Sequence, residues 1–368
     1  MARLDIAFEG GGMKGVAFAG ALEVLHEQGY QWGRLVGTSA GAVAAVLCAA
    51  GYEPNEIRAL LGGQEDHPNR VRTFFDIPEP EEFTREEKDN SLTMSLFATI
   101  KVPCIPDAVL RRVRRFLLDL LLTNGRYARL FNFVERGGFY VGRAFQVWVE
   151  ERLAAKGLPR QITFGGLYEE TGIDVSVTAA DLVAMDLLVL NRRTAPELPV
   201  AWAVRMSMGI PFIWQPVVWQ KEWGTYCAQN VAGHLIVDGG VLSNFPIWLL
   251  TGTSAQSREL MGSADNQAFV LGLLIDEQLP VPGVSDQLPS PSFTRVPVID
   301  RTARLVEMVW GARDREAIRQ HEHLICRLPA KGYGTLDFNL GGDRLERLLI
   351  AARQAMVEHL KSRGLYQA

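Results

Sequence analysis

The feature that most narrows what this chain can fold into is Gly37-Thr-Ser-Ala-Gly41, where an apolar run from Arg34 ends in a serine with glycine two residues to either side. A chain that turns directly from a strand into a helix passes very close to itself, and only residues without a Cβ leave room at the two flanking positions. The helical half is present: Ala40 to Ala50 is small and apolar, and Gly51 stops it. Ser39 is thus expected exposed at a helix N-terminus, where the positive end of the helix dipole favours a developing alkoxide. In a chain with 35 glycines the same spacing also fits a plain Gly-rich turn, so the flanking segments must decide.

Leu4 to Glu9 reads as a first strand that runs straight into Gly10-Gly-Gly-Met-Lys-Gly15, and a helix is expected from Val16 to Gln28, stopped by Gly29. Strand, Gly loop and helix admit three chemistries. A dinucleotide site needs an acid at the end of the second strand, where this chain has Ser39. A Walker loop needs Lys-Ser or Lys-Thr after its last glycine, which is absent. An oxyanion hole needs only free backbone N–H groups, here of Gly11 and Gly12, aimed at the carbonyl that Ser39 would attack. A simple tight turn is the fourth, inert reading.

Bulk properties exclude several classes. A net charge of −4 gives no global basic field to recruit nucleic acid. Cys48, Cys104, Cys227 and Cys326 are far apart, which argues against a disulfide framework or zinc site and fits a reducing compartment. The N-terminus has no signal-peptide apolar core and no apolar run reaches the roughly 18 residues of a membrane span, so a cytoplasmic protein is expected.

Residues 53–137 break the α/β rhythm. Pro78 to Asp89 is acidic and Pro-punctuated, read as a solvated loop. Pro106 to Leu122 then forms a helix with Leu110, Val113, Leu117 and Leu121 on its apolar side and Arg111, Arg112, Arg114 and Arg115 crowding its first half. Such a helix either covers a core with a solvated basic end or serves as a lid or docking element on an anionic membrane. From residue 137 the rhythm resumes: helix Ala144 to Lys156, strands Ile173 to Ala180 and Leu187 to Leu190, helix Val200 to Met208, strand His234 to Asp238, and a buried strand Ala268 to Ile275. A Pro- and Ser-rich loop (280–297), a helix (301–320), a strand (322–328) and a last helix (343–362) follow.

A serine nucleophile needs a base. Among the histidines, His26 and His359 lie on helices away from the loop ends, His67 has no evident partner, and His321 and His323 flank a strand start. His234 shares a strand with Asp238 four residues on, about 13 Å away, too far to hydrogen-bond it. Asp238 itself ends an apolar strand and is followed by Gly239-Gly240, so its carboxylate can reach Ser39 directly or merely cap a turn. A carboxylate of ordinary pKa is a weak base for a hydroxyl, and burial together with a helix N-terminus would narrow the gap.

Gly10-Gly-Gly-Met-Lys-Gly15, Gly37-Thr-Ser-Ala-Gly41 and Asp238-Gly-Gly240, in that order, resemble the patatin-like phospholipase family. Val177-Thr-Ala-Ala-Asp181 and Ser207-Met-Gly-Ile-Pro211 look like family blocks too, and the resemblance covers about residues 4–250. It implies a Ser39–Asp238 dyad without histidine, and an oxyanion hole from Gly11, Gly12 and Ala40. Gly10, Met13, Lys14, Gly15, Gly37, Thr38, Gly41, Gly239 and Gly240 complete the motifs, with Lys14 where arginine is more frequent. The implied fold is an α/β three-layer sandwich with a mostly parallel central sheet, as one domain over residues 1–368. In it the helical insertion 53–137 follows the nucleophile helix and the extension 251–368 packs on the core. The implied activity is hydrolysis of membrane phospholipid acyl esters, with the phospholipid surface as partner, no metal or cofactor, and peripheral membrane contact. Oligomeric state and any activating partner stay open. Two alternatives stand: a carboxylesterase with a Ser-Asp-His triad through a residue such as His323, and a non-catalytic nucleotide- or membrane-binding module.

Overall fold

The computed structural model describes residues 3–61, 73–100, 106–263, 267–285, 314–335, 340 and 342–367. His67, Cys104, the first part of the helix expected at 301–320 and most of the loop expected at 280–297 lie outside them. Ten strands are present among the described residues: β1 (Arg3–Phe8), β2 (Gln31–Gly37), β3 (Gly138–Tyr140), β4 (Asp174–Asp181), β5 (Asp186–Leu190), β6 (Phe212–Trp214), β7 (Val217–Val218), β8 (Leu235–Asp238), β9 (Ala268–Pro280) and β10 (Ile325–Lys331).

Eight of them form one sheet in the order β10-β9-β1-β2-β4-β8-β7, with β5 also paired to β4. Neighbours from β10 through β4 run parallel, and β5 and β8 pair antiparallel with β4. Successive side chains of a strand point to opposite faces, and here both faces are covered. On β1, Leu4, Ile6 and Phe8 enter the larger core, while Ala7 enters a second one; Leu35 and Val36 of β2 divide the same way. The larger core takes Leu22, Val46, Trp148, Val204 and Leu348 from helices Ala17–Glu27, Ala40–Ala49, Arg143–Ala155, Val200–Ser207 and Gly342–Ser362. The smaller takes Leu249, Met261 and Ala317 from Trp248–Thr251, Ala255–Met261 and Asp314–Gln320. The result is the helix, sheet, helix sandwich read from the sequence. Near-continuous burial of β1, β2 and β4 is what a parallel sheet covered on both sides requires. Among the described residues no helix is long and apolar enough to cross a membrane.

The insertion builds its own small core from Phe83, Met94, Leu118, Leu122, Ala128 and Phe131. Two expectations fail there. The acidic stretch read as a loop contains a helix, Arg85–Asn90, started by a capping box in which Thr84 N–H donates to Glu87 (2.7 Å) and Glu87 N–H donates to the Thr84 hydroxyl (3.2 Å). The basic helix, Asp107–Leu122, buries Leu118 and Leu122, leaving the expected inward residues Val113 and Leu117 48% and 42% exposed. A core of so few side chains covers only a narrow stripe, about a third of a turn round from the one the apolar count suggested.

Candidate active site

The elbow is built by steric necessity. A Cβ on Gly37 would lie 2.2 Å from the Gly41 carbonyl oxygen, and one on Gly41 would lie 2.5 Å from that of Phe8. Between them Ser39 adopts φ 52°, ψ −121°, a conformation few non-glycine residues hold and one that marks a nucleophile elbow. Contrary to expectation the serine is buried, only 3% exposed. Part of the cover is the Gly loop, since a Cβ on Gly10 would sit 3.3 Å from the Ser39 Cβ.

Strand β4 brings the second group to the first. Val177 pairs with Gly37 on β2, and Ala179 pairs with Asp238 on β8. The two strand ends are therefore two residues apart along β4, about 7 Å, and Ser39 and Asp238 close that gap. Asp238 is fully buried, and its Oδ1 accepts the Gly240 N–H at 2.8 Å. Burial pushes its carboxyl up to about 7, against the opposing pull of the Gly240 bond and a weaker one from the Ser39 hydroxyl. That hydroxyl approaches without completing a well-formed bond, so Oδ2 has no partner. Catalytic hydrogen bonds in ligand-free sites are often loose in this way.

One segment fixes both groups by their backbones. The Ser207 hydroxyl accepts the Ser39 N–H (2.8 Å), and the Gly209 carbonyl accepts the Asp238 N–H (3.0 Å). Thr38 pairs its hydroxyl with that of Thr178 at 2.6 Å and donates to the Ser243 carbonyl at 3.1 Å. A Cβ on Gly239 would meet Thr178 at 2.5 Å. The sequence marked Ser207 to Pro211 as a block without revealing this clamp, whose signal is only a serine at a helix end.

The Gly loop is held just as firmly. Gly10 exchanges bonds with Asn244, its N–H to the Asn244 carbonyl (2.9 Å) and its carbonyl from Asn244 Nδ2 (2.8 Å), while Met13 N–H donates to the Thr335 carbonyl (3.0 Å). Gly12, at φ 56°, has no space for a Cβ beside Thr335. Among the described residues nothing takes up the N–H groups of Gly11, Gly12 or Ala40, which is what an oxyanion pocket needs. Gly15 lets the loop's helix pack onto the elbow helix, its Cβ position lying 2.7 Å from that of Ala40. Glu9, just before the loop, accepts from Ile275 N–H (2.7 Å) and Asn244 Nδ2 (3.3 Å), and burial raises its carboxyl to about 8.

Lys14 turns away from any ligand. It is buried, with its ammonium held by Glu277 and by the Thr335 hydroxyl (2.8 Å), which deprives a phosphate-gripping reading of its cation. Sequence reasoning also missed Asp314, a buried carboxylate that accepts from Ser243 Oγ (2.8 Å), Asn244 N–H (2.6 Å) and Phe245 N–H (2.8 Å). It thereby anchors the loop behind Asp238, and no local motif flags it. No described histidine hydrogen-bonds Ser39 or Asp238. His234 binds Asp181 (2.6 Å), His26 faces Glu53, and His323 is exposed before β10, three strand spacings from β2, roughly 14 Å. The basic quartet is divided: Arg115 pairs with Asp89 and Arg114 donates to the Ile100 carbonyl, while Arg111 and Arg112 are exposed.

This geometry defines a buried serine with a desolvated carboxylate and spare N–H donors beside it, and comparison with known proteins gives the family of the chain. Residues 6–251 match the family model of the patatin-like phospholipases. A protein of Bacillus subtilis (strain 168), named only as uncharacterized protein YqhO, is 33% identical over 254 residues, 67% of each chain. The probable lipid hydrolase 463L of Invertebrate iridescent virus 6 is 22% identical over 242 residues, 66% of this chain and 61% of that one. Among solved structures, VipD from Legionella pneumophila superposes with a TM-score of 0.49 at 16% identity, covering 98% of this chain and 67% of that one. The chain belongs to the patatin-like phospholipase family, and by that membership it is a lipid acyl hydrolase.

Proposed function

We propose that this chain cleaves acyl ester bonds of membrane phospholipids, in the manner of a phospholipase A or lysophospholipase, through a Ser39–Asp238 dyad. Asp238 takes the Ser39 proton as Oγ attacks the ester carbonyl; the oxyanion that forms is held by the Gly11, Gly12 and Ala40 N–H groups. The protonated Asp238 then gives its proton to the departing alcohol, leaving an acyl-Ser39 ester. Water, deprotonated by the same carboxylate, attacks that ester, and the fatty acid and free serine result.

The observation that carries this reading is the burial of Asp238, which lifts its carboxyl to about 7 and so makes a carboxylate basic enough to serve where no described histidine is hydrogen-bonded to either group. The test is intact mass after treatment with a fluorophosphonate on wild type, Ser39→Ala and Asp238→Asn. A single adduct lost in Ser39→Ala and strongly slowed in Asp238→Asn is expected. An adduct that survives in Ser39→Ala, or labelling of Asp238→Asn at the wild-type rate, overturns the dyad.

A further inference from the structure

The helix Asp107–Leu122 leaves Val109, Val113, Phe116, Leu117 and Leu120 on one face, spaced i, i+4, i+7, i+8 and i+11, and that face is turned to solvent. Phe116 is 67% and Leu120 57% exposed. An amphipathic helix of a folded domain normally turns this face inward, and a contiguous exposed apolar ridge marks a contact surface. Resting on the lipid-hydrolase reading above, we propose that this ridge is the surface by which the protein docks on an anionic phospholipid bilayer, the helix lying flat with these five side chains sunk below the headgroups.

Three observations select a bilayer over another occupant. The ridge runs along the outside of one helix, from 109 to 120 about 17 Å, a length and placement suited to lying along an interface. One border is cationic: Arg112, roughly 85° round the helix from the ridge, is exposed with no acidic partner among the described residues, while Asp119 on the same side is neutralised by Lys88 at 2.8 Å. The whole chain carries −4, so an anionic surface attracts this border and repels most of the rest.

The third observation is how the insertion is tied to the body. Phe133, on the next helix (Gly125–Arg136), stacks on Phe139 of β3 with ring centres 4.3 Å apart and also faces Phe212 at 6.3 Å. Strand β3 pairs with β6, Gly138 against Phe212. Phe212 directly follows the Ser207–Pro211 segment that holds Ser39 and Asp238 by their backbones. The insertion that carries the ridge is thus fastened to a stretch that holds both Ser39 and Asp238 by their backbones, which brings the site to the lipid surface.

The experiment is sedimentation with vesicles of phosphatidylglycerol and phosphatidylcholine, using the Ser39→Ala protein so that binding is read without hydrolysis. Ser39→Ala should partition to the vesicles. Adding Phe116→Asp and Leu120→Asp should lower partition about tenfold or more, and Arg112→Gln about twofold, the latter loss vanishing at high salt. In the Ser39 background, Phe116→Asp/Leu120→Asp should cleave a soluble short-chain ester at the wild-type rate and vesicle lipid poorly. Undiminished partition of the Asp double variant overturns the proposal. So does a wild type that ignores vesicles and is a dimer which the Asp substitutions dissociate, because the ridge then serves a second copy. Partition by Ser39→Ala without any lipid cleavage by the wild type would keep the ridge and discard the phospholipase reading.

Discussion

The elbow and the insertion treat their side chains in opposite ways. Around Ser39 polar groups are buried and backbone atoms are pinned by Ser207, Gly209, Thr178 and Asn244. In the insertion, large apolar side chains are left outside a core of half a dozen residues. Buried polar atoms and exposed apolar ones both cost stability. The molecule therefore accepts a cost in each region, and in each the costly arrangement is where a ligand would be met.

The contrast can be broken in order of effect. Ser39→Ala should abolish ester turnover, and Asp238→Asn should lower kcat by on the order of 10⁴-fold with the far-UV spectrum unchanged. Near wild-type turnover in Asp238→Asn would show that its burial serves folding alone. Asp314→Ala removes the acceptor for three donors and should cost roughly 2–4 kcal/mol in denaturant unfolding, with Asp314→Asn losing less; an unchanged midpoint would show that the loop behind Asp238 holds itself.

The pH dependence follows from the two raised carboxyls. The proposed base, Asp238, can accept a proton only when ionised, so kcat/KM should fall as pH drops through about 7. Stability runs the other way. The folded state favours the neutral forms of Asp238 and Glu9, so their contribution is complete below the ordinary carboxylate range and is lost as pH rises through about 7 and about 8. Asp238→Asn should therefore raise the melting temperature at pH 9 relative to wild type while leaving it nearly equal at pH 4. No gain at pH 9 would mean that the carboxylate is better solvated than its surroundings suggest. The smallest effect belongs to the insertion: Phe116→Asp/Leu120→Asp should move the unfolding free energy by no more than about 0.5 kcal/mol, as for surface positions. A larger loss would show that the ridge packs against the body.

The parallel core was legible because its physics is local. A strand that must turn at once into a helix leaves glycines at fixed spacing, and Gly10 to Gly15, Gly37 to Gly41 and Asp238 to Gly240 carried that signature. A mostly parallel sheet followed from the resemblance those motifs carry, while the order and register of its strands were not legible. What stayed hidden was set by long-range contact. Asp314 lies about seventy residues beyond the loop it holds, and nothing near it in sequence announces the bond. The orientation of the helix Asp107–Leu122 misled because periodicity reports an apolar stripe without reporting what lies opposite it. Arg114 and Arg115, which look free in the sequence, are occupied by Ile100 and Asp89. The capping box of Thr84 and Glu87 was in plain view but outweighed by the prolines around it.

The grip of Thr335 and Glu277 on the Gly loop has a consequence in time. Residues 10–15 take their shape from partners more than 230 residues further along the chain, Asn244, Glu277 and Thr335. The loop that would cradle an oxyanion is therefore fixed only once those distant stretches have folded onto it, and the turn behind Asp238 only once Asp314 has reached it.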